Sequence, residues 1–317
     1  MRVILMGTGP FAVPTFDAIC SAGHEVALVV TKPEPPVKSR KGPPPAPVRQ
    51  WAVGRELPVF DPENVNDVDA VETLNRQAAD LLVVCDYGRI LKPEVLESST
   101  LGGINLHGSL LPAYRGAAPV QRALLSGDRE TGVSVIHITP RLDAGPVLGQ
   151  QVTEIRSDET AGELEERLAD LGVALTLECI DQLSQWDGQT AIGTAQEAAK
   201  VSKAPRLSKS EAAIDWNRTS REIDCHVRGM QPWPVAFAQL AVRPDKPPLR
   251  LAILQVSPAD CEPTDLSPGQ IVDPQEFTVA TQDGSLRIDR LRPAGKREMT
   301  GQEFVRGHQL SRGTSLS

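Results

Sequence analysis

Three side chains that could act on a carbonyl group lie within one segment of the 317-residue chain. Asn105 and His107 are two positions apart at the end of an apolar run, and Asp143 follows the next apolar run, 36 residues after His107. An amide N–H and an imidazolium can together stabilise an oxyanion. An imidazole beside a carboxylate exchanges protons near neutral pH. The trio therefore suits direct attack of an external amine on a carbonyl carbon.

Each of these residues also has a purely structural interpretation. A histidine at a strand end is often a hydrogen-bonding residue of the fold, as we expect for His137, and an aspartate in an Asp-Ala-Gly sequence can simply hold a turn. Ser109 lies two positions after His107, but no nucleophile elbow surrounds it. The five histidines and five cysteines show no ligand spacing, so we expect no metal site.

The elements that must position the trio alternate between strand and helix over the first 180 residues. Apolar runs predict strands at 3–6, 25–31, 80–87, 103–107 and 132–139, and helical patterns lie near 11–21, 67–78, 117–126 and 160–184. This alternation predicts an α/β, Rossmann-like domain with a mostly parallel sheet. Positions i and i+2 of a strand share a face, and such sheets bind ligands at the carboxyl ends of their strands. A right-handed crossover between parallel strands would then bring Asp143 to the same edge.

The pattern changes near Gln185. We expect a catalytic domain at 1–186, a linker at 187–207 and a second domain at 208–317. The second domain has a short amphipathic helix at 220–230 and several short apolar runs separated by turns such as Asp283-Gly284. This pattern favours a small, OB-like β-barrel.

Composition excludes some classes of protein. No apolar run approaches the ~18 residues of a membrane span, and five scattered cysteines without C-x-x-C indicate reduced thiols. We therefore expect a cytoplasmic protein with no membrane association. The net charge is −8, yet residues 32–55 hold six basic residues against one acid, and residues 284–312 hold seven against three. Such stretches suit a polyanion or a solvated surface equally well.

The N-terminal turn Gly-Thr-Gly at residues 7–9 suggests a different class, an NAD(P)-dependent dehydrogenase. It has the form G-x-G-x-x-A directly after the first apolar run. A dinucleotide site needs an acidic residue at the end of the second strand, where this chain has Thr31 and Lys32. Pro10 also removes one N–H from the turn that would hold a pyrophosphate. We therefore expect no NAD and interpret the turn as architecture.

Several motifs resemble those of the folate-dependent formyltransferases. The resemblance rests on INLHGSLLPAYRGAAPVQRALLSGD at 104–128 and LDAGPVL at 142–148, and it extends through GTGPFAVP, DYGRIL, LSKSEAAIDW, RGMQPWPVAF and RPAGKREM. The form SLLPAYRGAAP and the C-terminal motifs are similar to the branch of the family that acts on initiator tRNA. The resemblance implies transfer of the formyl group of 10-formyltetrahydrofolate to the α-amino group of initiator methionyl-tRNA, for translation initiation.

The resemblance also implies roles for individual residues. It makes Asn105, His107 and Asp143 catalytic. It assigns the folate pocket to Tyr87, Arg89, Ile90, Leu91, Ser109, Leu110, Leu111 and Pro112. It assigns tRNA contacts to Lys38, Arg40, Lys41, Lys203, Arg206, Lys209, Lys296 and Arg297. The family usually has a Gly-Arg-Gly-Lys-type run where this chain has KSRKG at 38–42, so the side chain that enters the acceptor end stays open.

Two further interpretations stay open. A related formyltransferase could act on a small amine, such as glycinamide ribonucleotide or an amino sugar, with the same catalysis. A non-catalytic RNA-binding protein would account for the basic stretches and the barrel, although the trio Asn105, His107 and Asp143 disfavours it. We expect the protein to be a monomer.

Overall fold

The computed structural model describes residues 1–34, 46–241, 247–259 and 265–317. Its residues group into two units that alternate along the chain. The first unit contains Met1–Pro119, Glu130–Glu154 and Glu165–Pro205. The second contains Val120–Arg129, Ile155–Leu164 and Arg206–Ser317. The domain and linker boundaries expected at 186 and 207 stay a prediction.

A seven-stranded sheet forms the centre of the first unit. Its strands are β1 (Arg2–Gly7), β2 (Glu25–Val30), β3 (Val59–Phe60), β4 (Leu81–Cys85), β5 (Gly103–His107), β7 (Glu130–His137) and β8 (Val147–Glu154). Two short strands, β6 (Arg115–Gly116) and β9 (Lys203–Ala204), form a separate parallel pair. The order in the large sheet is β3-β2-β1-β4-β5-β7-β8.

The pairs β1/β2, β1/β4, β2/β3 and β4/β5 are parallel. Every residue of β4 is buried, as expected for an apolar strand with both faces covered. The described residues form the α-helices α1 (Val13–Ser21), α2 (Pro47–Gly54), α3 (Val68–Asn75), α4 (Pro93–Leu96), α5 (Pro119–Leu125), α6 (Ala161–Ser184), α7 (Ser220–Gly229) and α8 (Gly301–Gly307). The predicted Rossmann-like class with a mostly parallel sheet is confirmed.

One topological expectation is wrong. Strand β7 runs antiparallel to β5, with Ile104 opposite His137 and His107 opposite Ser134, so no right-handed crossover joins parallel strands here. The connection contains α5, and residues 120–129 group with the second unit. Asp143 must therefore reach the end of β5 by another route.

An antiparallel sheet forms the second unit. Its strands are β10 (Phe237–Leu240), β11 (Leu249–Pro258), β12 (Ile271–Asp273), β13 (Thr278–Ala280), β14 (Ser285–Pro293) and β15 (Met299–Thr300). The order is β10-β11-β14-β13-β12, with β15 on β14. Leu286, Ile288 and Leu291 of β14 are buried, whereas Arg287 and Arg290 are exposed. One face of the sheet therefore forms the core of this unit.

The last residues of the chain join the two edges of this sheet. Ser317 exchanges backbone hydrogen bonds with Gln239 of β10, at 2.6 and 2.9 Å. Ile271 of β12 donates to the Thr314 carbonyl and accepts from the Gly313 N–H, both at 2.9 Å. Residues 313–317, which we call the closing segment, thus complete the small barrel that the sequence predicts.

Candidate active site

Strand β5 carries the first two residues of the catalytic trio. Asn105 and His107 lie two positions apart on it and therefore on the same face. His107 is 5% exposed, whereas Asn105 is half-buried. No residue in the described ranges makes a hydrogen bond with the Asn105 side chain. Its amide is thus free to donate to a bound molecule.

The backbone of Tyr114 determines which nitrogen of His107 carries a proton. His107 Nε2 lies 2.9 Å from the Tyr114 carbonyl oxygen. Because a carbonyl only accepts hydrogen bonds, Nε2 must be the protonated nitrogen of the neutral ring. Nδ1 is therefore the atom that gains or loses a proton, and it lies 4.0 Å from Oδ2 of Asp143.

Asp143 reaches His107 through a tight loop between β7 and β8. Asp143 itself has a left-handed backbone with φ of 47°, and its Oδ2 accepts a 2.8 Å hydrogen bond from the Gly116 N–H. A Cβ atom at Gly145 would collide with the His137 carbonyl oxygen. The glycine of the LDAG motif therefore allows the loop to fold back on β7, and this fold-back takes the place of the expected crossover.

A segment of the predicted linker holds this loop. Thr194 and Val147 exchange two backbone hydrogen bonds of 2.8 Å. The Gln196 side-chain amide donates to the carbonyl oxygens of Asp143 and Gly145, each at 2.8 Å. Arg115 donates to the Gln196 side-chain oxygen from Nε at 3.0 Å and from Nη2 at 2.6 Å. Residues 194–196 are therefore part of the site and do not act only as a connection.

The same segment also holds the loop that contacts His107. Ser202 accepts from the Tyr114 N–H through its hydroxyl at 2.8 Å and from the Arg115 N–H through its carbonyl at 2.9 Å. Strand β9 then pairs with β6, with Lys203 opposite Arg115. The two loops that contact His107 and Asp143 are thus fixed by one stretch of chain, residues 194–204.

Residues 87–91, predicted for the folate pocket, are buried at both ends and exposed in the middle. Tyr87 and Leu91 are 2% and 5% exposed and belong to the apolar core, and burial raises the pKa of Tyr87 to about 12. Arg89 and Ile90 are exposed. Within the described ranges, the Ile90 carbonyl is the backbone group of this loop that has a hydrogen-bond partner, the Asn66 side chain. Because Tyr87 and Leu91 are buried, the exposed residues 88–90 are the part of this loop that a ligand can reach.

Residues 109–112 are satisfied internally. The Ser109 hydroxyl donates to the Ala113 carbonyl at 2.7 Å. The Ser134 hydroxyl donates to the Ser109 carbonyl at 2.6 Å and accepts from the Leu111 N–H at 3.0 Å. Gln150 donates to the Leu111 carbonyl at 2.9 Å. With most of its polar groups paired, this loop offers a ligand mainly the apolar surface of Leu110 and Pro112, which are half-buried. Leu111, predicted to line the folate pocket, is 3% exposed and packs in the core.

The Gly-Thr-Gly turn places a carboxylate where a dinucleotide would bind. A Cβ atom at Gly9 would collide with the Asp86 carboxylate, and the Thr8 N–H donates to the Asp86 carbonyl at 3.1 Å. A pyrophosphate at this turn would meet that negative charge, which opposes anion binding. The turn is therefore a strand-to-helix connection, in agreement with the interpretation from sequence.

Comparison with known proteins decides the family. The family model "Formyl transferase" matches residues 1–180, and the model "Formyl transferase, C-terminal domain" matches residues 206–309. The chain belongs to the formyl transferase family. A methionyl-tRNA formyltransferase of Rhodopirellula baltica is 57% identical to it over 323 residues, which covers 100% of this chain and 96% of that protein.

Solved structures share the fold at low identity. An N-formyltransferase from Helicobacter canadensis, in complex with folinic acid and dTDP-3-aminofucose, matches with a TM-score of 0.65 and 17% identity over 94% of this chain and 100% of that one. HypX from Aquifex aeolicus, in complex with tetrahydrofolic acid, matches with a TM-score of 0.60 and 15% identity over 96% of this chain. This formyl transferase spans about half of HypX, 47% of that chain.

The basic residues predicted to contact tRNA are distributed over both units of this formyl transferase. Lys38, Arg40 and Lys41 lie outside the described residues. Lys203 is exposed in the first unit. The other four predicted contacts, Arg206, Lys209, Lys296 and Arg297, are exposed in the second unit. Arg297 lies 3.6 Å from Glu303, and both side chains are largely solvent-exposed. Such a pair is weak and leaves the guanidinium able to contact phosphate.

Metal and thiol chemistry find little support in the described part of this formyl transferase. No group of three or more His, Cys, Asp or Glu residues there could hold a metal ion. The described cysteines are free, and burial raises the pKa of Cys179 to about 11 and that of Cys85 well above its usual range. Both thiols are therefore protonated near neutral pH and are poor nucleophiles.

No helix in the described ranges has the length and apolar composition needed to cross a bilayer.

Sequence reasoning missed four contributors to the site of this formyl transferase. Tyr114 and Gly116 act through backbone atoms, which any residue type supplies. Arg115 lies in the SLLPAYRGAAP motif, so the motif contained a signal for it. Gln196 lies in a polar stretch without periodicity, and nothing in its local sequence distinguishes it from a linker residue.

Proposed function

We propose that this chain transfers the formyl group of 10-formyltetrahydrofolate to the α-amino group of the methionine on initiator methionyl-tRNA. The observation that carries the proposal is the His107–Asp143 pair, beside the open amide of Asn105, at the end of β5. It is supported by the 57% identity of the whole chain to a protein named methionyl-tRNA formyltransferase.

The first chemical step forms a carbon–nitrogen bond. The α-amino group attacks as the free base, since such groups titrate near ~8, and its lone pair adds to the formyl carbon. The formyl oxygen then becomes an oxyanion. The Asn105 amide and a proton on His107 Nδ1 stabilise this charge. Nδ1 is suited to this role because Nε2 is already bound to the Tyr114 carbonyl.

The second step breaks the bond between the formyl carbon and the folate nitrogen. The electron pair of that bond moves to the nitrogen, and the proton lost by the attacking amine replaces the formyl group there. Asp143, whose Oδ2 lies 4.0 Å from His107 Nδ1, orients the imidazole and helps to carry this proton. The products are an N-formyl amide and tetrahydrofolate, and no covalent enzyme intermediate forms.

The two substrates bind to different features in this proposal. The exposed backbone of residues 88–90 forms hydrogen bonds with the pterin edge, and Leu110 and Pro112 supply an apolar wall. The tRNA binds through phosphate contacts to Lys203, Arg206, Lys209, Lys296 and Arg297, together with Lys38, Arg40 and Lys41. The protein acts in the cytoplasm as a monomer.

A formylation assay with alternative acceptors tests the proposal. The purified protein and 10-formyltetrahydrofolate are incubated with charged initiator tRNA, glycinamide ribonucleotide or a dTDP-amino sugar, with His107→Ala as the inactive control. We expect formylation of the charged tRNA alone. Faster formylation of a small amine would overturn the acceptor, and the absence of formyl transfer to every acceptor would overturn the reaction.

A further inference from the structure

We propose that Gln196 is a positioning residue that holds Asp143 against His107 during formyl transfer. The inference rests on the proposed function and extends it to a residue of the predicted linker. The Gln196 side-chain amide donates to the carbonyl oxygens of Asp143 and Gly145, so it binds the backbone on both sides of Ala144. Its action on the reaction is therefore indirect, through the carboxylate of Asp143.

The hydrogen bonds of Gln196 allow a single orientation of its amide. The guanidinium of Arg115 can only donate, so it must face the amide oxygen, at 3.0 and 2.6 Å. The two carbonyl groups can only accept, so they must face the amide nitrogen. A glutamate would keep the contact with Arg115 but would lose both donors. Glutamine is thus chemically specified at this position.

Asp143 needs such an external hold because its own backbone does not favour the observed conformation. Its φ of 47° lies in the left-handed region, which a non-glycine residue keeps only when its surroundings fix it. The Gly116 N–H fixes the carboxylate, at 2.8 Å. Gln196 fixes the peptide, at 2.8 Å. Without the second contact, the loop can relax and withdraw the carboxylate from Nδ1 of His107.

Strand β6 contributes to both anchors of Asp143. Arg115 orients Gln196 with its side chain, and its neighbour Gly116 binds the carboxylate with its backbone N–H. Strand β6, which they form, pairs with β9 in the same segment that carries Gln196. Hydrogen bonds among residues 115–116, 143–145 and 196 therefore fix the position of Asp143.

The variants Gln196→Glu and Gln196→Met test this proposal in the steady-state formylation assay. Gln196→Glu keeps the oxygen that accepts from Arg115 and removes the N–H donors. Gln196→Met keeps the side-chain length and removes the acceptor and the donors. We expect kcat to fall by about 10- to 100-fold, since small misplacements of a catalytic group have effects of this size. KM for both substrates should stay within about two-fold of the wild-type value, because Gln196 contacts neither substrate in this proposal.

Gln231→Glu is the matched control. The Gln231 amide also donates to two backbone carbonyls, those of Val227 and Leu254, at 3.0 and 2.9 Å, but it lies in the second unit. The substitution makes the same chemical change without touching the Asp143 loop. We expect it to lower thermal stability and to leave kcat unchanged.

A double-mutant cycle with Asp143→Asn separates positioning from a general structural effect. If Gln196 acts through the Asp143 carboxylate, Gln196→Glu should reduce kcat by less than about two-fold in the Asp143→Asn background. An unchanged kcat in both single variants, a loss confined to KM, or a full additional loss in the double variant would overturn the proposal. Failure of the wild-type protein to formylate methionyl-tRNA would instead overturn the proposed function.

Discussion

The imidazole of His107 is bound at Nε2 by the carbonyl oxygen of Tyr114, 2.9 Å away. This contact fixes the proton on Nε2 and leaves Nδ1 for chemistry. Tyr114 has a left-handed backbone, with φ of 61°. A main-chain atom in a sterically disfavoured turn therefore determines how the proposed catalytic histidine presents itself to a substrate.

Removing either member of the His107–Asp143 pair should abolish most of the activity and leave the fold intact. We expect His107→Ala and Asp143→Asn to lower kcat by about 10²- to 10⁴-fold, the range of a positioned general acid or base. Rapid-quench or steady-state formylation of charged tRNA gives the rate, and circular dichroism checks the fold. Near-normal turnover of both folded variants would contradict the assignment.

Gly145→Ala should impair catalysis although it removes no polar group. The new Cβ atom would collide with the His137 carbonyl oxygen, so the loop must move and take Asp143 with it. We expect a loss in kcat of at least about ten-fold, in keeping with the cost of small misplacements. Gly307→Ala is the matched control, since a Cβ there meets no atom within 4 Å. Equal activity of both variants would show that the loop tolerates the shift.

His226 should make the second unit sensitive to acid. Burial lowers the pKa of His226 below its usual 6.5, and its Nε2 has no partner among the described residues. The unfolded state therefore binds a proton at a higher pH than the folded state. The stability that depends on neutral His226 is present above pH 6.5 and is lost as the pH falls through the folded pKa.

The variant His226→Gln checks this assignment because it cannot gain that proton. The measurement is Tm by thermal unfolding between pH 8 and pH 5. We expect the wild-type Tm to fall more steeply below about pH 6.5 than the Tm of the variant. Parallel curves for the two proteins would assign the acid sensitivity to other groups.

Binding of charged tRNA should weaken as salt rises, and Lys296 and Arg297 should contribute to the slope. Each phosphate contact releases counterions, so the double variant Lys296→Ala/Arg297→Ala should reduce the slope of log K against log[salt] by about 2 between ~50 and ~200 mM. Arg76→Ala is the control, because Arg76 is an exposed arginine that is not among the residues predicted to contact tRNA. A slope unchanged by the double variant would remove these two residues from the tRNA surface.

The sequence was sufficient to predict those parts of the site that are formed by side chains on regular strands. Asn105 and His107 share a face of β5 because alternate strand residues always do. The direction of β7 could not be predicted, because a buried apolar strand has the same sequence pattern in a parallel and in an antiparallel pair. The Tyr114 carbonyl and the Gly116 N–H leave no trace in residue type. Gln196 acts through a contact across 51 to 53 positions of the chain, which no local pattern encodes.

The closing segment makes the second unit dependent on its last five residues, 313–317. Deletion of these residues would expose the edges of β10 and β12 with unpaired N–H and C=O groups. Exposed edges of this kind are templates for pairing between chains. Leu316, 4% exposed, would also leave an apolar gap. Loss of this segment would thus turn a self-contained barrel into a species prone to aggregation.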